Sequence, residues 1–319
     1  MTDKLPAAPE TAFLFPGQGS QKVGMGRELA EAYPTAQHIF EFADELLGFS
    51  LSQLAWQGPE SELNDTINTQ PALLVHSVAA LKVFQELFPV FRPAFVAGHS
   101  MGELSALVAS GASPFEDALR LVRRRGELMK NAGESSPGGM AAVIGLDIPT
   151  LDRICAQASQ PEEIVQVAND NCPGQVVISG ATPALERAIE LAKQAGARRA
   201  VPLAVSIAAH SPLMALAQAD FNQAVDAAPI TDPDTPIVAN VSATTLTSAG
   251  QIRADLQAQL YSRVRWTESI QTMIAAGVTT FIELGSGSVL TGLLKRIDRQ
   301  VSGIALGNPS DFEQFSQAA

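Results

Sequence analysis

The chain has 319 residues, of which 46% are hydrophobic and 17% charged, too apolar for general disorder and enough for one large core or two unequal ones. Its 21 Lys and Arg against 33 Asp and Glu leave a net charge of −12, which argues against a broad nucleic-acid surface and leaves room only for a local basic patch. No apolar run approaches the roughly 18 residues needed to span a bilayer, and MTDKLPAAPE lacks the basic-then-apolar pattern of an export signal, so no membrane contact and a cytoplasmic location are expected. Cys155 and Cys172 belong to no CxxC or Cys/His cluster and read as free thiols, with neither a disulfide nor a metal site in view.

Along the chain, TAFLFPGQGSQ opens with a short apolar strand (11–15) that breaks at Pro16-Gly17. ALLVHSVAALKVFQELF (72–88) predicts a helix that stops before Pro89. AFVAG is a second buried strand, and ELSALVASG a helix ended by Gly111. PFEDALRLVRRRGELMKNA (114–132) predicts a third helix, with Pro114 and acids at its start and bases later, as the helix dipole favours. Strands alternating with helices imply an α/β fold with a mainly parallel sheet.

From about 138 to 204 the pattern changes. GGMAAVIGL, IPTLDRICAQA, EEIVQVAND, GQVVISG, PALERAIELAKQAG and ARRAVPLAV read as βαββαβ, the ferredoxin-like order. GESSPGG (133–139) is expected to be a hinge. Short β-like runs resume in TPIVANV and TTFIELG, so 138–204 reads as an insertion into a unit formed by 1–137 and 205–319.

GHSMG (98–102) lies between a predicted strand and a predicted helix. A serine hydroxyl attacks only when exposed, close to a base and next to donors that stabilise an oxyanion. Glycines two positions either side of Ser100 relieve crowding in a sharp turn, and the helix N-terminus turns N–H groups toward it, with Met101 offering one of them. Of the four histidines, His38 and His76 read as structural, and His99 as a scaffold or substrate contact because neighbours on a tight turn point apart. His210, in VSIAAHSPLM, is left as the base. No Asp or Glu can be singled out to orient it, so a backbone carbonyl or an amide takes that place.

FPGQGSQ, GHSMGEL, RRRGELM, NDNCPGQVVISG, AAHSPLM, VRWTESI and ELGSGSVLTGL, in this order and spacing from about 11 to 308, resemble the malonyl-CoA:acyl carrier protein transacylases and related acyltransferase domains of fatty acid and polyketide synthesis. The resemblance implies an α/β-hydrolase-like large domain with a ferredoxin-like insertion. It implies that Ser100 is the nucleophile and His210 the base, and that backbone N–H groups of Gln18 and Met101 form an oxyanion hole. Arg125 would fork onto the malonyl carboxylate, where Arg123 and Arg124 read as exposed helix residues. Asn169 and Asn171, in a small-domain loop, and His99 would line the cleft. The carbonyl of Arg265, where some members carry glutamine, would orient His210. Malonyl-CoA and acyl carrier protein are the implied partners, for a monomer without cofactor or metal. Ile207-Ala208-Ala209-His210 matches neither the malonyl nor the methylmalonyl pattern of polyketide domains, so another acyl group or carrier stays open, as does a GxSxG serine hydrolase.

Overall fold

Thr11–Phe15 (β1) is buried at all five positions, because it lies in the middle of a sheet covered on both faces. Side chains alternate with period two: Phe13 and Phe15 join the large core on one face, Ala12 and Leu14 a second core on the other. The computed structural model describes residues 8–205 and 207–318; the start of the chain, on which the export reading rests, and Ser206 lie outside them. The remaining strands are Phe95–Gly98 (β2), Gly138–Ile144 (β3), Val165–Cys172 (β4), Gln175–Ala181 (β5), Arg199–Pro202 (β6), Ile237–Val238 (β7), Thr245–Leu246 (β8), Thr280–Leu284 (β9) and Ser302–Leu306 (β10).

They form two sheets. The larger, in order β10-β9-β1-β2-β7-β8, is parallel except where β7 and β8 pair, so the chain is α/β with a mainly parallel sheet. The smaller, in order β4-β5-β3-β6, is antiparallel throughout and packs helices Ile148–Ala158 and Thr182–Gln194 around a core of its own. A bridge between Asn169 and Val264 ties the small sheet to the rest, with Asp170 N–H donating to Val264 O (2.9 Å) and Val264 N–H to Ala168 O (2.8 Å).

The helix expected from residue 72 begins at Thr66 and runs through Pro71 to Leu87. Asp65 caps it by accepting the N–H of Ile67 at 3.2 Å. Proline cannot donate to the carbonyl of Ile67, four residues back. Arg123 Nη1 donates to that carbonyl instead, at 2.9 Å. Arg123 is therefore half-buried and structural rather than a plain surface arginine, whereas Arg124 is exposed. The expected hinge is shorter than 133–139, since helix Phe115–Ser135 and β3 leave only Ser136 and Pro137 between them. Cys155 and Cys172 are free and buried. Among the described residues no three His, Cys, Asp or Glu could hold a metal, and no helix is long and apolar enough to cross a membrane.

Candidate active site

β2 leads straight into Ser100, which sits in the left-handed region (φ 52) before helix Gly102–Ala109. The turn is packed too closely for side chains on either flank. A Cβ on Gly98 would lie 2.0 Å from the carbonyl of Gly102, and one on Gly102 2.3 Å from Phe15 O. A non-glycine residue in this conformation carries strain that the surroundings must hold, as is common at reactive positions. Buried Asn240 holds it: Oδ1 accepts the N–H of Ser100 (2.8 Å), and Nδ2 donates to Gly98 O (2.7 Å).

Ser100 Oγ lies 2.8 Å from Nε2 of His210. His210 also has a positive φ (58), and its main chain is tied on both sides, N–H to Leu260 O (2.9 Å) and carbonyl from Gln166 Nε2 (2.8 Å). Its Nδ1 faces the carbonyl of Gln259 at 2.9 Å, which can only accept, so Nδ1 carries the proton and Nε2 is free to receive one. Arg265 does not orient the histidine. It stands at the N-terminus of helix Trp266–Ala275, where its carbonyl is committed as first helical acceptor to the N–H of Ser269 (2.9 Å), while its guanidinium pairs with Glu268 (2.8 Å).

Arg125 is 2% exposed and also reaches the serine. Its Nη2 donates to Ser100 Oγ (3.1 Å) and to Gln259 Oε1 (2.9 Å), and its Nη1 to Gln70 Oε1 (2.7 Å). All three partners are uncharged. Burial lowers its pKa to about 10, so it is a cation at neutral pH. Burial first, and the Arg125 charge second, lower the pKa of His210 to about 3, so the imidazole is neutral and in proton-accepting form. A nucleophile, a neutral base and a buried cation aimed at one atom suit acyl chemistry on an anionic substrate. A family model described as an acyl transferase domain matches residues 12–307.

The chain belongs to the acyl transferase domain family. Among its relatives, the malonyl CoA-acyl carrier protein transacylase of Bacillus subtilis is 49% identical over 302 residues, covering 95% of each chain. The protein of that name from Escherichia coli K12 is 47% identical, over 94% of this chain and 96% of its own. The crystal structure of an acyl carrier protein S-malonyltransferase from Vibrio cholerae superposes with a TM-score of 0.92 at 44% identity, covering 96% and 99% of the two chains. A malonyl-transacylase solved in complex with a type II polyketide acyl-carrier protein gives 0.94 at 44% identity, covering 97% and 100%.

In this acyl transferase a cavity of about 470 Å³ opens onto Ser100, Arg125 and His210, with Gln18, Met101, His99, Asn169 and Asn171 in its lining. The small sheet supplies the facing wall through Met140, Ala142 and Val177. Asn169 and Asn171 lie on β4 rather than in a loop, because the strand runs on through two register shifts and only Pro173-Gly174 turn the hairpin. Asn171 Oδ1 lies 2.8 Å from Nε2 of His99, whose ring also meets Trp266 edge-on at 5.4 Å; burial lowers the pKa of His99. His76 is buried with Nε2 on Gly307 O (2.9 Å), and His38 is exposed with Nδ1 on Pro34 O (2.7 Å), both away from the cavity.

Sequence reasoning missed Gln259, Gln70 and Asn240. All three are buried side-chain amides. Asn240 had a usable signal, a polar residue closing the apolar run TPIVAN. Gln259 and Gln70 stand in helices where nothing local separates them from surface glutamines.

Proposed function

We propose that this chain transfers the malonyl group of malonyl-CoA to the phosphopantetheine thiol of acyl carrier protein through an acyl-serine intermediate. The observation that carries the reading is Arg125: a buried guanidinium 3.1 Å from the nucleophile, held by neutral groups, so its charge is available to the free carboxylate of a malonyl group. The relatives at 49% and 47% identity bear the name of that activity.

In the first half-reaction Ser100 Oγ attacks the thioester carbonyl while His210 Nε2 takes its proton. The C–S bond breaks and the thiol of CoA leaves with that proton. In the second, the pantetheine thiol gives its proton to His210, attacks the serine ester, and Ser100 recovers the proton as it leaves. The backbone N–H groups of Gln18 and Met101, both beside the cavity, are the donors for the oxyanion, each contributing a few kcal/mol (about 3) to the transition state. A carboxylate on Arg125 also offsets the positive charge that helps to hold the His210 pKa down, so the malonyl group strengthens its own base. Asn169, Asn171 and His99 line the path of the thioester arm. No cofactor enters this balance, and a monomer is part of the same proposal.

The finer architecture belongs to the same reading. The described parts of residues 1–137 and 205–319 form an α/β-hydrolase-like unit, and 138–204 a ferredoxin-like insertion. The strand order β4-β5-β3-β6, all antiparallel with two helices on one side, supports the latter. Free buried thiols fit a cytoplasmic setting. Intact-protein mass measurement after incubation with malonyl-CoA tests the reading: one malonyl adduct is expected on the wild type and none on Ser100→Ala. An adduct that survives in the alanine variant would place the nucleophile elsewhere.

A further inference from the structure

Two buried carboxyl groups lie behind the nucleophile and take no part in the steps above. Glu103 is 1% exposed, on the first turn of helix Gly102–Ala109, and Asp255 is 7% exposed, on helix Ala249–Gln259, one turn before the Gln259 whose Nε2 donates to Glu103, so that the two carboxyl groups are neighbours. Two ionised carboxylates in dry contact repel strongly, and one proton between them removes the conflict. The surrounding donors are unevenly divided. Asp255 faces the main-chain N–H groups of Val241 (3.5 Å) and Ser242 (3.4 Å). On Glu103, Oε2 accepts the side-chain N–H of Gln259, while Oε1 is buried and no donor is directed at it.

We propose that Glu103 is held as a neutral carboxylic acid that donates its proton to the Asp255 carboxylate, and that this pair is a positioning clamp joining the Ser100 turn to Gln259. The undonated oxygen of Glu103 is then the one that carries the proton. The inference concerns the reaction proposed above and rests on it.

What the clamp holds follows from its contacts. By accepting from Gln259 Nε2, Glu103 sets which way that amide points, leaving Oε1 toward Arg125. The same Nε2 reaches Ser100 O at 3.1 Å, and the carbonyl of Gln259 orients His210. Through Val241 and Ser242, Asp255 steadies the segment whose Asn240 holds the N–H of Ser100. The clamp thus acts on nucleophile, base and carboxylate-binding arginine through Gln259 and Asn240, without meeting the substrate. Other ionisable groups facing this cluster are Arg125, from helix Phe115–Ser135, and His210 beyond Gln259. Burial and Asp255 hold the Glu103 carboxyl well above the usual carboxylate range, and burial raises Asp255 as well. Were both ionised, a second negative charge would compete with the malonyl carboxylate for Arg125.

Glutamine at 103 reproduces the neutral acid, with a carbonyl oxygen for Gln259 and an N–H for Asp255; alanine does neither. Expected for Glu103→Gln is malonyl loading within about threefold of wild type, and for Glu103→Ala a loss of about tenfold or more in kcat/KM with a lower malonyl-to-acetyl ratio, because Arg125 loses its support. Infrared difference spectra at neutral pH are expected to show a protonated-carboxyl stretch in the wild type that is absent from Glu103→Gln. Equal impairment of the glutamine and alanine variants, or a wild type without that band, overturns the clamp. A wild type that takes no malonyl group while showing the band counts against the proposed reaction and leaves the proton assignment standing.

Discussion

The parallel-sheet unit and the small antiparallel sheet meet across one cavity but line it in different ways. On the parallel side, β1, β2 and the turn after them are in backbone contact, with Gly98 and Gly102 filling space that a methyl group cannot enter, and Ser100 and His210 both in left-handed conformations. On the other side, Met140, Ala142 and Val177 present ordinary strand side chains to the same cavity. The groups that make and break bonds are set by main-chain geometry, where an error of a few tenths of an ångström matters. The opposite wall shapes what enters, through side chains that can be exchanged without rebuilding a backbone.

The contrast breaks most clearly at two glycines. Gly98→Ala is expected to cost about 3 kcal/mol or more in urea unfolding, because its Cβ would stand 2.0 Å from backbone that cannot move without dislodging Ser100. Gly139→Ala on β3 would meet Leu185 Cδ2 at 3.4 Å, an ordinary contact, and is expected to change stability by less than about 1 kcal/mol. Equal costs at both would end the distinction.

Arg125→Ala tests the chemical side. Leaving the malonyl carboxylate unpaired in a buried site is expected to lower kcat/KM for malonyl transfer about a hundredfold or more, near 2.7 kcal/mol, while acetyl transfer holds or rises. Arg125→Lys is expected to recover only part, since a point charge cannot reproduce the fork. The ratio of the two kcat/KM values decides: if both fall together, Arg125 supports the fold rather than the substrate.

The smallest effect is expected at the rim of the small sheet. Arg296 donates to Pro173 O (3.0 Å) and to Gln175 Oε1 (2.6 Å), and Gln175 lines the cavity. Arg198 lies against Gly145, whose N–H bonds to Gly174 O on the same hairpin edge. Both arginines are exposed, whereas nearby Lys193 is tied to Glu190 at 2.6 Å. On a chain of net charge −12, such a patch is where an acidic carrier protein can approach. Reversing Arg198 and Arg296 together is expected to raise KM for carrier protein a few fold at low salt, with malonyl loading from CoA unchanged. Unchanged KM would remove the patch from docking.

Much of this was legible in the residues, for physical reasons that can be named. Short apolar runs ended by glycine or proline marked β1, β2 and β9, because a strand buried on both faces has no polar side to confuse the pattern. Gly98-x-Ser100-x-Gly102 was legible since only glycine fits where backbone crosses backbone. The start of the helix at Thr66 was hidden, because Pro71 breaks a helix by local rules and only Arg123, from a distant helix, supplies the missing donor. Arg265 was the wrong carbonyl for the same kind of reason. Every residue carries a carbonyl, and which one faces His210 depends on where helix Ala249–Gln259 ends against the loop bearing the histidine. Local composition and period determined the strands, the reactive turn and the basic run around Arg125. Tertiary packing alone decided that Gln259 serves serine, arginine and histidine at once, because side-chain amides and main-chain carbonyls acquire a role only from what long-range folding brings within about 3 Å of them.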